Sequence, residues 1–540
     1  MSIFNSVPLP KIKSSWHKEN HDVLITFNYG GLYPLLCEKV SPGERWIVDL
    51  EQMIRTMPLS APVYGRSKVK VDAFFVPTRL IWDDFEEFIT LGITGQATYT
   101  PPTIEVDTAS VANATNHNKI FGIGGLADYL GFSTNSQAVI GQAFHRKVDA
   151  LPFRVYQLIY NEYYRNESLQ NEIPISRASG NLTIANNASY PERAFANFFI
   201  RNRNWQRDYF TSALPQPQKG PSVAIPYGDI EISADGTLKM EAQNPVTSGT
   251  NNLQLTAGPV GDVTAGNGTN KVSYSSGLKA GLDSTVIPTI EDLRYAETLQ
   301  EYYEANARGG SRYKEHLLNI WHVKSKDSRL DRPEYLGGYR GPLSISDVEQ
   351  MSESGTTAQG TLTGKGLSAG GSKLLRYSVP EYGFIMVIIS VVPNSVYFQG
   401  DRRQYLYKDA FDYPNPFFAN LGEQPIYKGE ILFKDSASHD QTEFGYTPRY
   451  SEVKFIPSSV HGQFRDTLRY WTISRKFAIG SGDTVNLNDA FIQMQASEVA
   501  NIFPSQVSDD DKLLGAFYFH VKRKLRGIPY YGVPRLIHSV

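Results

Sequence analysis

The sequence predicts a mainly β protein of the sandwich or jelly-roll class. Three observations carry that prediction. Short runs rich in Val, Ile, Phe and Tyr recur along the chain and end at Gly, Pro, Asn or Asp. Stretches with helical spacing are few, and no fixed-period repeat points to a solenoid or propeller. The connections between strand-like runs are long and irregular, unlike the regular alternation of βαβ units.

The elements follow in chain order. Val23 to Tyr29 is β-rich and stops at Gly30-Gly31, and Trp46 to Leu50 follows the Pro42-Gly43 turn signal. Lys68 to Val76 alternates, with Val69, Val71, Ala73 and Phe75 on one face and Lys68, Lys70 and Asp72 on the other. That is the pattern of a half-exposed strand, and Pro77 ends it. Trp82, Phe85 and Phe88-Ile89 then have helical spacing, and Arg154 to Arg165 reads as a helix after Pro152. The strongest helical pattern runs from Thr289 to Ala307. Thr289 with Asp292 forms a capping pair, Leu293, Ala296, Leu299 and Tyr303 share a face, and Gly309-Gly310 stops it.

Residues 233–284 are rich in Gly, Asn, Thr and Ser with little apolar periodicity, and Gly355 to Gly371 is a second such stretch. Both read as long loops. The last third returns to strands at Gly383 to Val392, Gln424 to Phe433, Arg449 to Ile456 and Leu513 to Val521. Phe384 to Val392 is the longest apolar run, too short to span a bilayer and suited to a strand buried on both faces.

Composition narrows the function. The 540 residues hold 53 Lys+Arg against 55 Asp+Glu, a net charge of −2, which excludes a chain-wide basic coat for nucleic acid. The single cysteine, Cys37, excludes an intrachain disulfide framework and reads as a small core residue. The start Met1-Ser2-Ile3-Phe4-Asn5 lacks a basic and then apolar leader, so no secretion signal is expected and the Asn-x-Ser/Thr triplets at Asn166, Asn181 and Asn187 read as chance. The 32 tyrosines suit broad, partly wet contact surfaces and a large β core equally.

Enzyme motifs are weak. Gly122-Ile123-Gly124-Gly125 lacks the dinucleotide spacing, and no phosphate loop, nucleophile elbow or His-Glu-x-x-His helix occurs. The ten histidines are scattered, and Asp509-Asp510-Asp511 lacks the ligand spacing of a calcium loop. Basic residues do cluster: Lys11 and Lys13 in an N-terminal arm (residues 1–20), Arg201, Arg203 and Arg207 around Trp205, and Lys522-Arg523-Lys524-Leu525-Arg526 near Tyr530-Tyr531. Cations interleaved with aromatics can follow a phosphate backbone and stack on bases, and a solvated charged face is the plainer reading of each cluster alone.

Several blocks, in order along nearly the whole chain, resemble one family. They include Pro34-Leu35-Leu36-Cys37, Val40-Ser41-Pro42-Gly43, Pro58-Leu59-Ser60-Ala61-Pro62-Val63 and the run Phe74 to Trp82. Leu293-Arg294-Tyr295-Ala296, Arg308 to Tyr313 and Asp331 to Gly338 follow. Leu421-Gly422-Glu423-Gln424, Phe444 to Tyr450 and Tyr531 to Ile537 complete the set. The family is the major capsid proteins of the Microviridae, small icosahedral phages with circular single-stranded DNA, and its gokushovirus-like branch resembles this chain most. Arg535 stands where the family usually has Gly, and Tyr382-Gly383 where His-Gly is common.

The resemblance implies a mainly β, eight-stranded antiparallel jelly roll with long loop insertions and a few short helices, one domain over residues 1–540. It implies a non-enzymatic major capsid protein that self-assembles through pentamers into a T=1 shell, made in the bacterial host cytoplasm and residing in the virion. Partners would be the packaged single-stranded DNA, a small basic internal protein, scaffolding and pilot proteins, and a host receptor. Residues 227–284 sit where the branch carries a variable insertion at the three-fold axes, and Asn251, Asn252, Asn267 and Asn270 are candidate host-surface positions. Lys11, Lys13, Lys522, Arg523, Lys524 and Arg526 are the candidate DNA contacts. No cofactor is expected, with a divalent cation at subunit interfaces left open. A β-sandwich receptor- or carbohydrate-binding spike protein and a hydrolase on a β scaffold are the competing readings.

Overall fold

The structure, a computed structural model, describes residues 13–92, 95, 98–106, 111–134, 147–186, 189–221, 223, 230–234, 255–257, 263–265, 270–271, 278–282, 290–310, 312–349, 362–480, 484–504 and 511–528. The chain divides into two compact units, residues 1–217 with 309–540, and residues 218–308.

The first unit is built on one large antiparallel sheet of nine strands. We label them β1 (Ser14–Lys18), β2 (His21–Phe27), β3 (Tyr33–Val40), β4 (Arg45–Thr56), β5 (Ser67–Pro77), β6 (Glu334–Glu349), β7 (Leu362–Ser378), β8 (Gly383–Pro393) and β9 (Leu513–Arg526). Their order is β1-β9-β4-β7-β6-β5-β8-β3, and β2 also pairs with β9. Strand β6 joins two walls: Glu334 to Leu343 pairs with β5, and Ser344 to Glu349 pairs with β7. One wall is β2-β9-β4-β7 and the other β6-β5-β8-β3. From β2 to β9 the chain passes from wall to wall at every step except β5 to β6, which is the eight-stranded jelly roll. Strand β1 is an addition at its edge.

The walls face each other across one core. Val48, Leu50, Phe517 and Phe519 come from one side, and Val71, Phe75, Val387 and Ile389 from the other. A second core covers the outer face of β5 and β8, where Phe74, Val76, Phe384 and Met386 meet Phe153, Val155 and Tyr156. These last three lie on the helix Leu151–Ile159, which continues as a π-helical turn over Tyr160–Tyr164. Every residue of β8 is therefore buried, as its apolar run, broken by Ser390, requires.

The same layer corrects the reading of β5 as half-exposed. Lys68 is exposed, but Asp72 is buried against Arg203, and Phe74 and Val76 fill the second core. Alternation reports one apolar face; it cannot report a helix laid over the polar one. Two further readings change. Gly364, Gly366 and Gly370 mark a strand, because a Cβ at these positions would stand 2.4 Å from the Ala61 carbonyl oxygen, 2.4 Å from Thr56 and 2.2 Å from the Tyr339 hydroxyl. Residues 355–361 of that stretch lie outside the described residues. Arg449 to Ile456 is not a strand: the pairing partner of Glu423–Tyr427 is Glu443–Pro448, and Ser451–Lys454 is a helical turn. Cys37 lies on β3 against the second core, and burial pushes its thiol up to about 12.

The second unit contains the helix Ile290–Gly309, close to its predicted span, while Thr289 of the predicted cap lies outside the described residues. Within the proposed insertion, Ile230–Ala234 pairs with Leu278–Leu282. Leu255–Ala257, Val263–Ala265 and Asn270–Lys271 form a short antiparallel meander. The loop reading of residues 233–284 therefore gains paired strands.

Candidate nucleic-acid interface

Strand β9 carries the C-terminal basic cluster, and the pleat divides it. Phe517, Phe519, Val521 and Leu525 point into the core, so Arg523, in the same phase, points inward too. Its guanidinium lies 4.7 Å over the Trp46 ring and donates to Glu44 at 2.9 and 3.0 Å. Trp46 Nε1 donates to the same carboxylate at 2.9 Å, and Glu19 stands 3.6 Å from the guanidinium. Arg523 is thus held as a structural cation. Lys522, Lys524 and Arg526 take the opposite phase, on the outer face.

Strand register adds residues to that face. Lys18 of β1 lies opposite Lys522, which lies opposite Ile47, which lies opposite Arg376. One step along, Trp16, Lys524 and Arg45 stand in a row, and Arg526 lies opposite Ser14. Neighbouring strands are about 4.8 Å apart, so like charges stand directly opposite one another and destabilise the bare sheet. None of Lys18, Arg45, Arg376, Lys522, Lys524 and Arg526 makes an ion pair among the described residues. Trp16 is 46% exposed beside Lys524 and offers a ring face. Chemically, this is a grid of unpaired cations with one aromatic platform, suited to a polyanion.

Of the remaining candidates, Lys13 is exposed just before β1, its carbonyl accepting from Gly527 N at 2.8 Å. Lys11, Asn251, Asn252 and Asn267 lie outside the described residues, and Asn270 opens a two-residue strand opposite Ala265. The sequence reading missed Trp16, Lys18, Arg45 and Arg376. A period-two reading of Lys522 to Arg526 separates Arg523 from its neighbours; the other four join only through pairing between distant strands. Among the described residues no three His, Cys, Asp or Glu side chains converge as a metal site, and no helix is long and apolar enough to cross a membrane.

The pleat predicts opposite outcomes for adjacent residues. Arg523→Gln strands Glu44 against Trp46 and is expected to cost about 2 kcal/mol or more. Lys522→Gln should stay within about 0.5 kcal/mol. Denaturant midpoints of the two variants, at equal protein concentration, check this; equal losses would remove the inward assignment.

Comparison with known proteins agrees with the fold and the motif blocks. Residues 5–536 match the family model described as capsid protein (F protein). The chain is 31% identical to capsid protein VP1 of Chlamydia phage 1, over 99% of this chain and 97% of that protein. It is 32% identical to capsid protein VP1 of Bdellovibrio phage phiMH2K, over 94% and 93% of the two chains. Capsid protein VP1 of Spiroplasma virus 4 is 28% identical, over 98% and 96%. With a full-length match laid on a jelly roll, the chain belongs to the capsid protein (F protein) family and is a structural protein of a phage virion.

Proposed function

We propose that this chain builds a small icosahedral shell through pentamers of itself, that the shell encloses circular single-stranded DNA, and that the role is structural and not catalytic. The observation that carries the reading is the family match over residues 5–536 on an uninterrupted jelly-roll order. It leaves the spike or fibre reading without support. Within it, the outer face of β1, β9 and β4 is the surface for the packaged strand, through Lys13, Lys522, Lys524 and Arg526, joined by Lys18, Arg45 and Trp16. The net charge of −2 cannot neutralise a genome, so another cation supplies the balance, and the small basic internal protein implied by the family resemblance fits that role. Scaffolding and pilot proteins would complete the assembly. Sedimentation and negative-stain microscopy of the purified chain, alone and with its scaffold, test the shell: pentamers or small spheres are expected, and a monomer at micromolar concentration in both samples would overturn it.

The insertion at residues 227–284 serves the host surface in this reading. Ala234 lies opposite Leu278, so the segment leaves and rejoins the unit through one strand pair. Excising residues 235–277 and closing the pair with Asn-Gly should leave particle yield largely unchanged and abolish attachment to host cells. Absence of particles from the deletion would count against a peripheral role.

A further inference from the structure

A cavity of about 470 Å³ opens on the outer side of the β6-β5-β8-β3 wall. Lys70 of β5, Arg165, Arg203, Arg207, Arg312, Lys314 and Arg332 line it, and Glu162 and Glu315 are the acidic residues among its described lining. Part of this charge is matched nearby. Arg203 donates to Asp72 at 3.0 Å, Arg332 stands 3.4 Å from both Glu162 and Asp327, and Lys314 pairs with Asp327. Arg165 reaches Glu172 at 4.0 Å. The rest is not matched. Arg312 donates to the carbonyls of Asn161, Glu162 and Arg165, at 2.8, 3.2 and 3.1 Å. Lys70 and Arg207 make no ion pair among the described residues. Burial, with Arg203 and Arg340 close by, pulls the Lys70 ammonium down to about 8.

Unmatched cations gathered in a partly buried cavity destabilise the empty fold. A bound oxyanion reverses that penalty, and guanidinium forks fit its geometry. We propose that this cavity binds the phosphate group of a nucleotide, with Lys70, Arg207 and Arg312 as its partners. Three unmatched charges suit a phosphate better than a single carboxylate. The aromatic faces in the wall are already covered: Arg332 lies 4.9 Å over Tyr163, Arg203 5.0 Å over Tyr164 and Arg475 4.9 Å over Trp205. Among the described lining residues each ring already holds a cation on one face, so the proposed recognition is of the phosphate and not of the sequence. The inference rests on the shell reading only for the packaged strand as one source of that phosphate; a free nucleotide is the other.

The test is calorimetric titration of the purified full chain with inorganic phosphate, thymidine 5′-monophosphate and a short oligothymidylate. Wild type is expected to bind phosphate and the monophosphate, and K70Q/R207Q to bind both about tenfold more weakly or worse. R207Q alone, on an exposed side chain, should show part of that loss and guards against a folding defect in the double variant. Oligothymidylate binding that weakens in K70Q/R207Q alongside monophosphate binding assigns the strand as source; weakened monophosphate binding with oligothymidylate binding unchanged assigns a free nucleotide. No binding of phosphate or monophosphate by wild type, or equal affinity in K70Q/R207Q, overturns the proposal. Normal shells alongside such a result would leave the shell reading standing, whereas absence of shells from wild type with scaffold overturns that reading instead.

Discussion

Glutamine at Lys522, Lys524 and Arg526 together is expected to cut the DNA held per particle and to flatten its salt dependence. For a single strand the logarithmic salt slope falls by about 0.7 per phosphate contact, so three lost contacts lower it by about 2. All three side chains leave β9 on the outer face, and none makes an ion pair among the described residues, so folding should be nearly unaffected. Relief of the repulsion between Lys18 and Lys522, directly opposite across the β1-β9 pair, works in the same direction. The readouts are the ratio of DNA to protein absorbance in purified particles and a filter-binding series across salt. Full particles with an unchanged slope would remove this face from the genome surface. Arg523→Gln is the matched control: it should lower stability and leave the salt slope of the surviving folded chain near wild type.

The largest stability loss is expected from Arg475→Met. The Arg475 side chain is 3% exposed, and its Nε stands 2.8 Å from Glu498. One Nη donates to the Phe491 carbonyl at 2.8 Å, and the guanidinium lies 4.5 Å over the Phe491 ring and 4.9 Å over Trp205. Removing it takes the close cation from Glu498, which is 21% exposed and keeps, among cations, only the weaker influence of Arg469, and leaves the Phe491 carbonyl without its donor, a loss of about 2 to 3 kcal/mol. Burial already raises the Glu498 carboxyl above its ordinary range although Arg475 opposes the shift. Without Arg475 the folded pKa rises further above the unfolded value. The protonated carboxyl then favours the fold below the unfolded pKa, and that benefit is lost as pH rises through the folded pKa. The deficit against wild type should therefore be full at neutral pH and shrink on acidification into the carboxylate range. Denaturant midpoints across pH, at fixed protein concentration, follow this directly. A loss below about 1 kcal/mol, or one independent of pH, would show that Glu498 finds another partner or water.

Three elements show what local pattern can carry. Gly383 to Val392 was legible as a doubly buried strand because it has no polar phase at all, and β8 is buried throughout. The helix at Ile290–Gly309 was legible from its apolar face and its glycine stop. Gly355 to Gly371 reads as a loop because glycine is poor in strands; β7 carries its described part, residues 362–371, where neighbouring backbone and side chains come too close for a Cβ.

The sequence by itself determined the β class, the capsid family and the presence of a cationic run at Lys522 to Arg526. These follow from residue types and from spacings within a few positions. Only the tertiary structure decided that Asp72 is buried, that Arg523 belongs to Glu44 and Trp46, and that Trp16, Lys18 and Arg45 join Lys522 and Lys524. The physical reason is the same in each case. A strand's own alternation fixes which residues share a face, but its pairing partners and the layer packed over it lie hundreds of residues away. For β9 and β1 the paired residues are separated by most of the chain, and no local period encodes that register.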